Sequence, residues 1–146
     1  MMRTSRTPVD QPSSCTTLSV DATAQNLRAI RTFVDKVAAA ARLDSDRAYD
    51  LKVAVSEACA NAVEHSGSSH RPLEICATTH ADRLAVEIAN GSDFRMNPAG
   101  AAPSEERGLG LPLMVALVDE VRFLKTTDRG TVVVLTMLLG SAASRP

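Results

Sequence analysis

Aromatic residues make up only 3% of this chain, and tryptophan is absent. Its core has to be aliphatic, and stacking of bases on exposed rings has little to work with. Formal net charge is −1, and no basic run of the kind that tracks a phosphate backbone appears. Neither direct nucleic-acid binding nor attraction to an anionic membrane is therefore expected. No run of about 18 apolar residues is present, so no membrane span is expected. The N-terminus lacks a hydrophobic signal-peptide core, so export is not indicated. Cys15, Cys59 and Cys76 are odd in number and have no metal-ligand spacing, which points to a reduced, cytoplasmic compartment. There is no internal repeat.

A hydrophobic fraction of 45% and a length of 146 residues suffice for one domain with a proper core. Residues 1–15, rich in Thr, Ser, Pro and Arg, read as a disordered N-terminal tail, and 140–146 as a C-terminal tail. Between them, 16–139 form the domain. Thr16 to Val20 is a short strand candidate. Asp21 or Thr23 can cap a helix running to about Arg42, with Leu27, Ile30, Phe33 or Val34, and Val37 at helical spacing. Asp44 or Ser45 caps a second helix that reaches about His65, and Gly67 closes it. Pro72 to Thr79 and Arg83 to Ala89 alternate as strands joined by a short hairpin link. From Asn90 to Arg107 regular patterning disappears. Leu109 to Val118 is helical, with Pro112 in the first turn where its missing amide costs little. Val121 to Thr126 and Thr131 to Leu139 are strands around an Asp128-Arg129-Gly130 turn, the last apolar enough for the interior of a sheet. This order predicts an α+β two-layer sandwich: a mixed, mostly antiparallel sheet with the helices packed on one face.

The second helix has both a core face and a polar rim. Leu51, Ala54, Val55, Ala58, Cys59 and Ala62 share one apolar stripe at 100° per residue. Glu57 and Asn61, four residues apart, stack on one surface about a quarter-turn from its centre. A carboxylate and a carboxamide held together there are either solvated rim positions or a working pair. Three later features bear on the choice. Asn90-Gly91-Ser92-Asp93 follows an apolar strand, where a glycine permits close approach of backbone to a ligand. Glu106-Arg107-Gly108-Leu109-Gly110-Leu111 opens a helix, where glycines bare amide groups at the positive end of the helix dipole. Tight helix–sheet packing would equally explain those glycines. Gly130-Thr131 enters the last strand, and a hairpin turn alone accounts for it.

Taken in this order and on these elements, the motifs resemble the GHKL ATPase superfamily, of Bergerat fold. Within it they look most like the small bacterial anti-sigma-factor serine kinases of the RsbW and SpoIIAB type. The likeness covers about Leu18 to Leu138. It is carried by the Glu57-x-x-x-Asn61 helix with Ala62 and His65 following, the short glycine-box loop, Arg107 to Met114, and Gly130-Thr131. The resemblance implies ATP and Mg2+ as ligands, with Asn61 helping to hold the metal and Glu57 acting as general base towards a serine hydroxyl. It implies nucleotide contacts from His65, Asn90, Gly91, Arg107, Gly108, Leu109, Gly110, Leu111 and Thr131, with Asn90 to Arg107 as the lid. It also implies a sigma factor and a STAS-type anti-sigma antagonist as partners, exchanged by partner switching, and a homodimer.

One box departs from the superfamily pattern Asp-x-Gly-x-Gly, whose Asp reads the adenine amino group. Anchored on Gly91 and Phe94, the Asp position is Ala89 and the second glycine position is Asp93. Two functions follow from the sequence. One is an ATP-dependent serine kinase that also sequesters a sigma factor. The other is a degenerate binding module that regulates by protein binding without kinase activity.

Overall fold

The computed structural model describes residues 14–66, 72–89, 110–126 and 130–139. The chain forms β1 (Ser14–Val20), a 3-10 turn (Ala24–Asn26), α1 (Leu27–Ala40), α2 (Ser45–Ser66), β2 (Leu73–Thr79) and β3 (Arg83–Ala89). It continues through α3 (Gly110–Leu117), β4 (Glu120–Lys125) and β5 (Thr131–Leu138). The strands make a five-stranded sheet in the order β1-β2-β3-β5-β4.

Each neighbouring pair is antiparallel, so the described sheet has no parallel pairing where a mixed sheet was expected. The reason is connective. Short links join β2 to β3 and β4 to β5, and the α1–α2 helix pair between β1 and β2 brings the chain back antiparallel. β1 also begins earlier than expected. Ser14 and Cys15 pair with Thr79 and Thr78 and so belong to the sheet, not to a tail. β5 lies between β3 and β4 and is buried from Thr131 to Met137, as its apolar run requires.

Alternation along the strands divides the sheet into two faces. Leu73, Ile75, Leu84, Val86, Ile88, Val133 and Leu135 are buried in one cluster with Ile30 and Val34 of α1 and with the stripe of α2. All six stripe residues of α2 are fully excluded from solvent. A leucine such as Leu51, fully buried there, contributes about 1.5–3 kcal/mol over an exposed one. Cys59 behaves as part of this core: burial pushes its thiol up to about 12, so it stays neutral.

The helix ends follow local chemistry. Asp44 caps α2 by accepting a hydrogen bond from the Arg47 amide at 2.8 Å. Neither Asp21 nor Thr23 caps α1 through its side chain. The Asn26 amide group instead donates to the Asp21 carbonyl at 2.8 Å, and a 3-10 turn leads into the helix. α1 ends in a Schellman motif: Leu43 N–H reaches the Ala38 carbonyl and Arg42 N–H the Ala39 carbonyl. Arg42 takes the left-handed position at φ 65°, where glycine is usual.

Candidate functional site

α2 packs against α1 on one side, α3 on the other, and β2, β3 and β5 beneath. Its polar rim is therefore held by the whole molecule. Asp35 of α1 pairs with Lys52 at 3.1 Å, and Arg31 Nε donates to Ser56 Oγ at 3.3 Å, beside Glu57. At the other end Arg47 Nη2 donates to Asp119 Oδ2 at 2.8 Å and to the Leu138 carbonyl at 2.6 Å. Asp119 Oδ2 also accepts from the Leu138 amide at 2.7 Å. This clamp ties the start of α2 to the α3–β4 connection and the end of β5. Partial burial raises the Asp119 carboxyl's pKa, but the Leu138 amide and Arg47 outweigh it and hold the group below its ordinary value.

On that framework Glu57 is half-buried and Asn61 is buried, at 5% exposure, one helical turn further on. A carboxamide taken this far out of water on a helix flank is not a solvated rim position. Thr131 is also buried, at 4%, and opens β5 on the same alternation as Val133 and Leu135. It thus belongs to the helix-facing side of the sheet. Gly110 and the half-buried Leu111 begin α3, which packs on α2. Pro112 falls in the first turn, where amides have no partner within the helix. The structure thus brings Glu57, Asn61, Gly110, Leu111 and Thr131 onto neighbouring elements on one side of the sheet. His65 belongs to α2, and its side chain lies outside the described residues. Asn90, Gly91, Arg107, Gly108 and Leu109 also lie outside them.

Ala89 is placed differently from the rest. It pairs with Glu74 and Val132 and packs, 1% exposed, in a separate small cluster with Val132 and Val134. Leu84, Val86 and Ile88 face the helices, so Ala89 points to the opposite face. The position matched to the adenine-reading carboxylate therefore does not share a side with Glu57 and Asn61.

Among the described residues no group of His, Cys, Asp or Glu is assembled to hold a metal ion. Asn61 fits magnesium in a narrower way. A single carboxamide oxygen on a rigid helix suits a cation that keeps waters and takes its other ligands from phosphates. Among the described residues no helix is long and apolar enough to cross a membrane.

The family model of the histidine kinase-like ATPase domain matches residues 20–137. The chain belongs to the histidine kinase-like ATPase family, alongside the serine-protein kinases RsbW. It is 35% identical to RsbW of Bacillus licheniformis, over 75% of this chain and 76% of that one. With RsbW of Bacillus subtilis it shares 34% identity, over 72% of this chain and 74% of the other. A solved structure of the RsbU and RsbW domains of Rv1364c from Mycobacterium tuberculosis superposes with a TM-score of 0.68. That match, at 23% identity, covers 90% of this chain and 34% of the other, and so speaks for the fold.

The sequence reading missed the Arg47–Asp119 clamp, the positioning device of α2. Arg47 and Asp119 are 72 residues apart, and nothing in their local pattern signals the pairing. It also missed the inversion at Ala89, although strict alternation from Leu84 to Ile88 was there to be counted.

Proposed function

We propose that the chain is an ATP-dependent protein serine kinase of the anti-sigma type, acting in the cytoplasm as a homodimer. It phosphorylates a serine of a STAS-type antagonist and binds a sigma factor when that antagonist is not available to it. The observation that carries this is the Glu57–Asn61 pair: a half-buried carboxylate one turn from a buried carboxamide, on the central helix of a histidine kinase-like ATPase fold. The relatives' designation as serine-protein kinases supports the same chemistry.

Each residue has a role in this reading. Asn61 would hold magnesium through its side-chain oxygen, and the metal would supply positive charge to the phosphoryl transfer. Glu57 takes the proton of the attacking serine hydroxyl as its oxygen bonds to the γ-phosphorus and ADP leaves. The amides of Gly108 and Gly110, at the mouth of α3, receive phosphate oxygens, and Arg107 adds charge. His65, Leu109, Leu111 and Thr131 shape the walls of the nucleotide site, and Gly91 allows its close approach. Asn90 supplies the acceptor for the adenine amino group. It follows Ile88 by two residues, the spacing at which Leu84, Val86 and Ile88 face α2.

A binding module without catalysis draws its support from Ala89 standing at the adenine-reading position. Ala89 points away from α2, so that substitution weighs little against nucleotide binding. The experiment is calorimetry with magnesium-ATP followed by phosphotransfer to a purified STAS-type antagonist. Wild type should bind and transfer, and Glu57→Gln should bind with similar affinity and not transfer. Absence of heat at millimolar nucleotide would refute the kinase reading and leave the binding module.

A further inference from the structure

Two of the three thiols meet on the sheet face turned away from the helices. In the β1–β2 register Cys15 sits opposite Thr78 and Thr17 opposite Cys76, so the cysteines are diagonal neighbours on one face. Their sulfurs are 3.7 Å apart, and the Thr78 hydroxyl lies 3.9 Å from each. Cys15 is exposed and Cys76 half-buried. Cys76 forms part of the wall of an open groove of about 360 Å³, together with Thr17, Ser19, Glu74 and Glu87, which gives solvent a route to its sulfur. The third thiol, Cys59, is enclosed in the core on the other side.

We propose that Cys15 and Cys76 are a peroxide-responsive pair that closes to an intramolecular disulfide, stapling the edge strand β1 to β2. The exposed Cys15 thiolate attacks one oxygen of hydrogen peroxide, the O–O bond breaks, and sulfenic acid and hydroxide form, the hydroxide taking up the proton that the Cys15 thiol released to give water. Cys76 then attacks the Cys15 sulfur. The S–S bond forms, the S–O bond breaks, and the Cys76 proton leaves with hydroxide as a second water. Two thiols are oxidised by one peroxide, which is reduced to two waters. Burial first, then the neighbouring Cys15, pushes the Cys76 thiol up, which leaves Cys15 to react first and Cys76 to resolve. Closing 3.7 Å to a bond of about 2.05 Å draws these diagonal positions of β1 and β2 together. The closed loop contains α1 and α2, while the bond lies on the face opposite Glu57 and Asn61. It marks a surface that the kinase reading does not use.

The test treats the full chain, dilute and reduced, with equimolar hydrogen peroxide. It alkylates remaining thiols in denaturant and maps the peptides by mass spectrometry. Titratable thiols should fall from three to one, leaving Cys59, with a Cys15–Cys76 linked peptide that dithiothreitol removes. The chain should stay monomeric in denaturing, non-reducing electrophoresis. Cys15→Ser and Cys76→Ser should each abolish the linked peptide. Over-oxidation of Cys15 to sulfinic acid, disulfide-linked dimers through Cys15, or retention of all three thiols would overturn the proposal. No nucleotide enters the test, so its outcome is independent of the kinase reading.

Discussion

Removing the Asp119 carboxylate should loosen α2 from the sheet by an amount that depends on pH. In Asp119→Ala, the Leu138 amide loses its 2.7 Å acceptor and Arg47 loses one of its two bonds. A hydrogen bond to a charged group contributes about 1.5–3 kcal/mol, and an exposed ion pair about 0.2–1 kcal/mol. The two side chains are 33% and 36% exposed, so solvent screens the pair and the lower halves of both ranges apply. Arg47 keeps its 2.6 Å bond to the Leu138 carbonyl and is not left unpaired. The expected loss near neutral pH is about 1.7–2.9 kcal/mol, or a fall of about 6–9 °C in Tm for a domain of this size.

The pH dependence has a definite sign. The folded-state pKa of Asp119 is depressed below its ordinary 3.8. Its contribution is therefore whole above 3.8 and is lost as pH falls through the folded value. Wild type should lose stability in acid through this group, while Asp119→Ala has none to lose there, so the gap between them should narrow. Urea unfolding followed by far-UV circular dichroism measures this at about pH 7 and about pH 3. With no Trp and a single Tyr, fluorescence would report poorly. A gap that stays the same at both pH values, or a loss under about 0.5 kcal/mol at neutral pH, would refute the clamp as an energetic element.

Arg42→Gly should stabilise by about 0.5–1 kcal/mol in the same urea assay, because a glycine takes the φ 65° position of the α1 cap without a Cβ penalty; a loss would mean that the arginine side chain matters more than its backbone. Ala89→Asp should cost about 3–5 kcal/mol, since it buries a carboxylate among Val132 and Val134. A well-folded Ala89→Asp that binds ATP more tightly would instead put that position on the α2 side. Asn61→Ala should weaken magnesium-dependent ATP binding about tenfold or more by calorimetry while leaving metal-free binding little changed; equal affinity with magnesium would remove Asn61 from the metal.

Much of the architecture was legible because burial imposes a period. The α2 stripe from Leu51 to Ala62 is fully buried as its spacing required, and Asp44 caps α2 as a short acidic side chain before an apolar run should. β2 and β3 follow from alternation. What escaped depends on contacts between distant segments. Ser14 and Cys15 carry no strand signal of their own and are held by pairing to Thr79 and Thr78. The all-antiparallel register emerges from how the connections fold back. The Arg47–Asp119–Leu138 clamp joins three elements, and so has no local signature.

The instructive case is Ala89. Matching the chain to its family by the glycine at Gly91 puts alanine where an acid is expected, and that match leaves the site without its base reader. The fold weighs the same residues by a different rule. Side chains on a strand alternate, Ile88 lies in the helix-side core, and Ala89 packs with Val132 and Val134 on the other face. A carboxylate at position 89 would lie on the face turned away from Glu57 and Asn61. The proposed reading gives the acceptor role to the next residue in sequence, Asn90, which has an oxygen but no charge. A neutral hydrogen bond contributes about 0.5–1.5 kcal/mol against about 1.5–3 kcal/mol for a charged one. Under that proposal the exchange would weaken adenine recognition by about five- to tenfold rather than remove it. The test that separates a kinase from a binding module therefore belongs at the Glu57–Asn61 pair and not at Ala89.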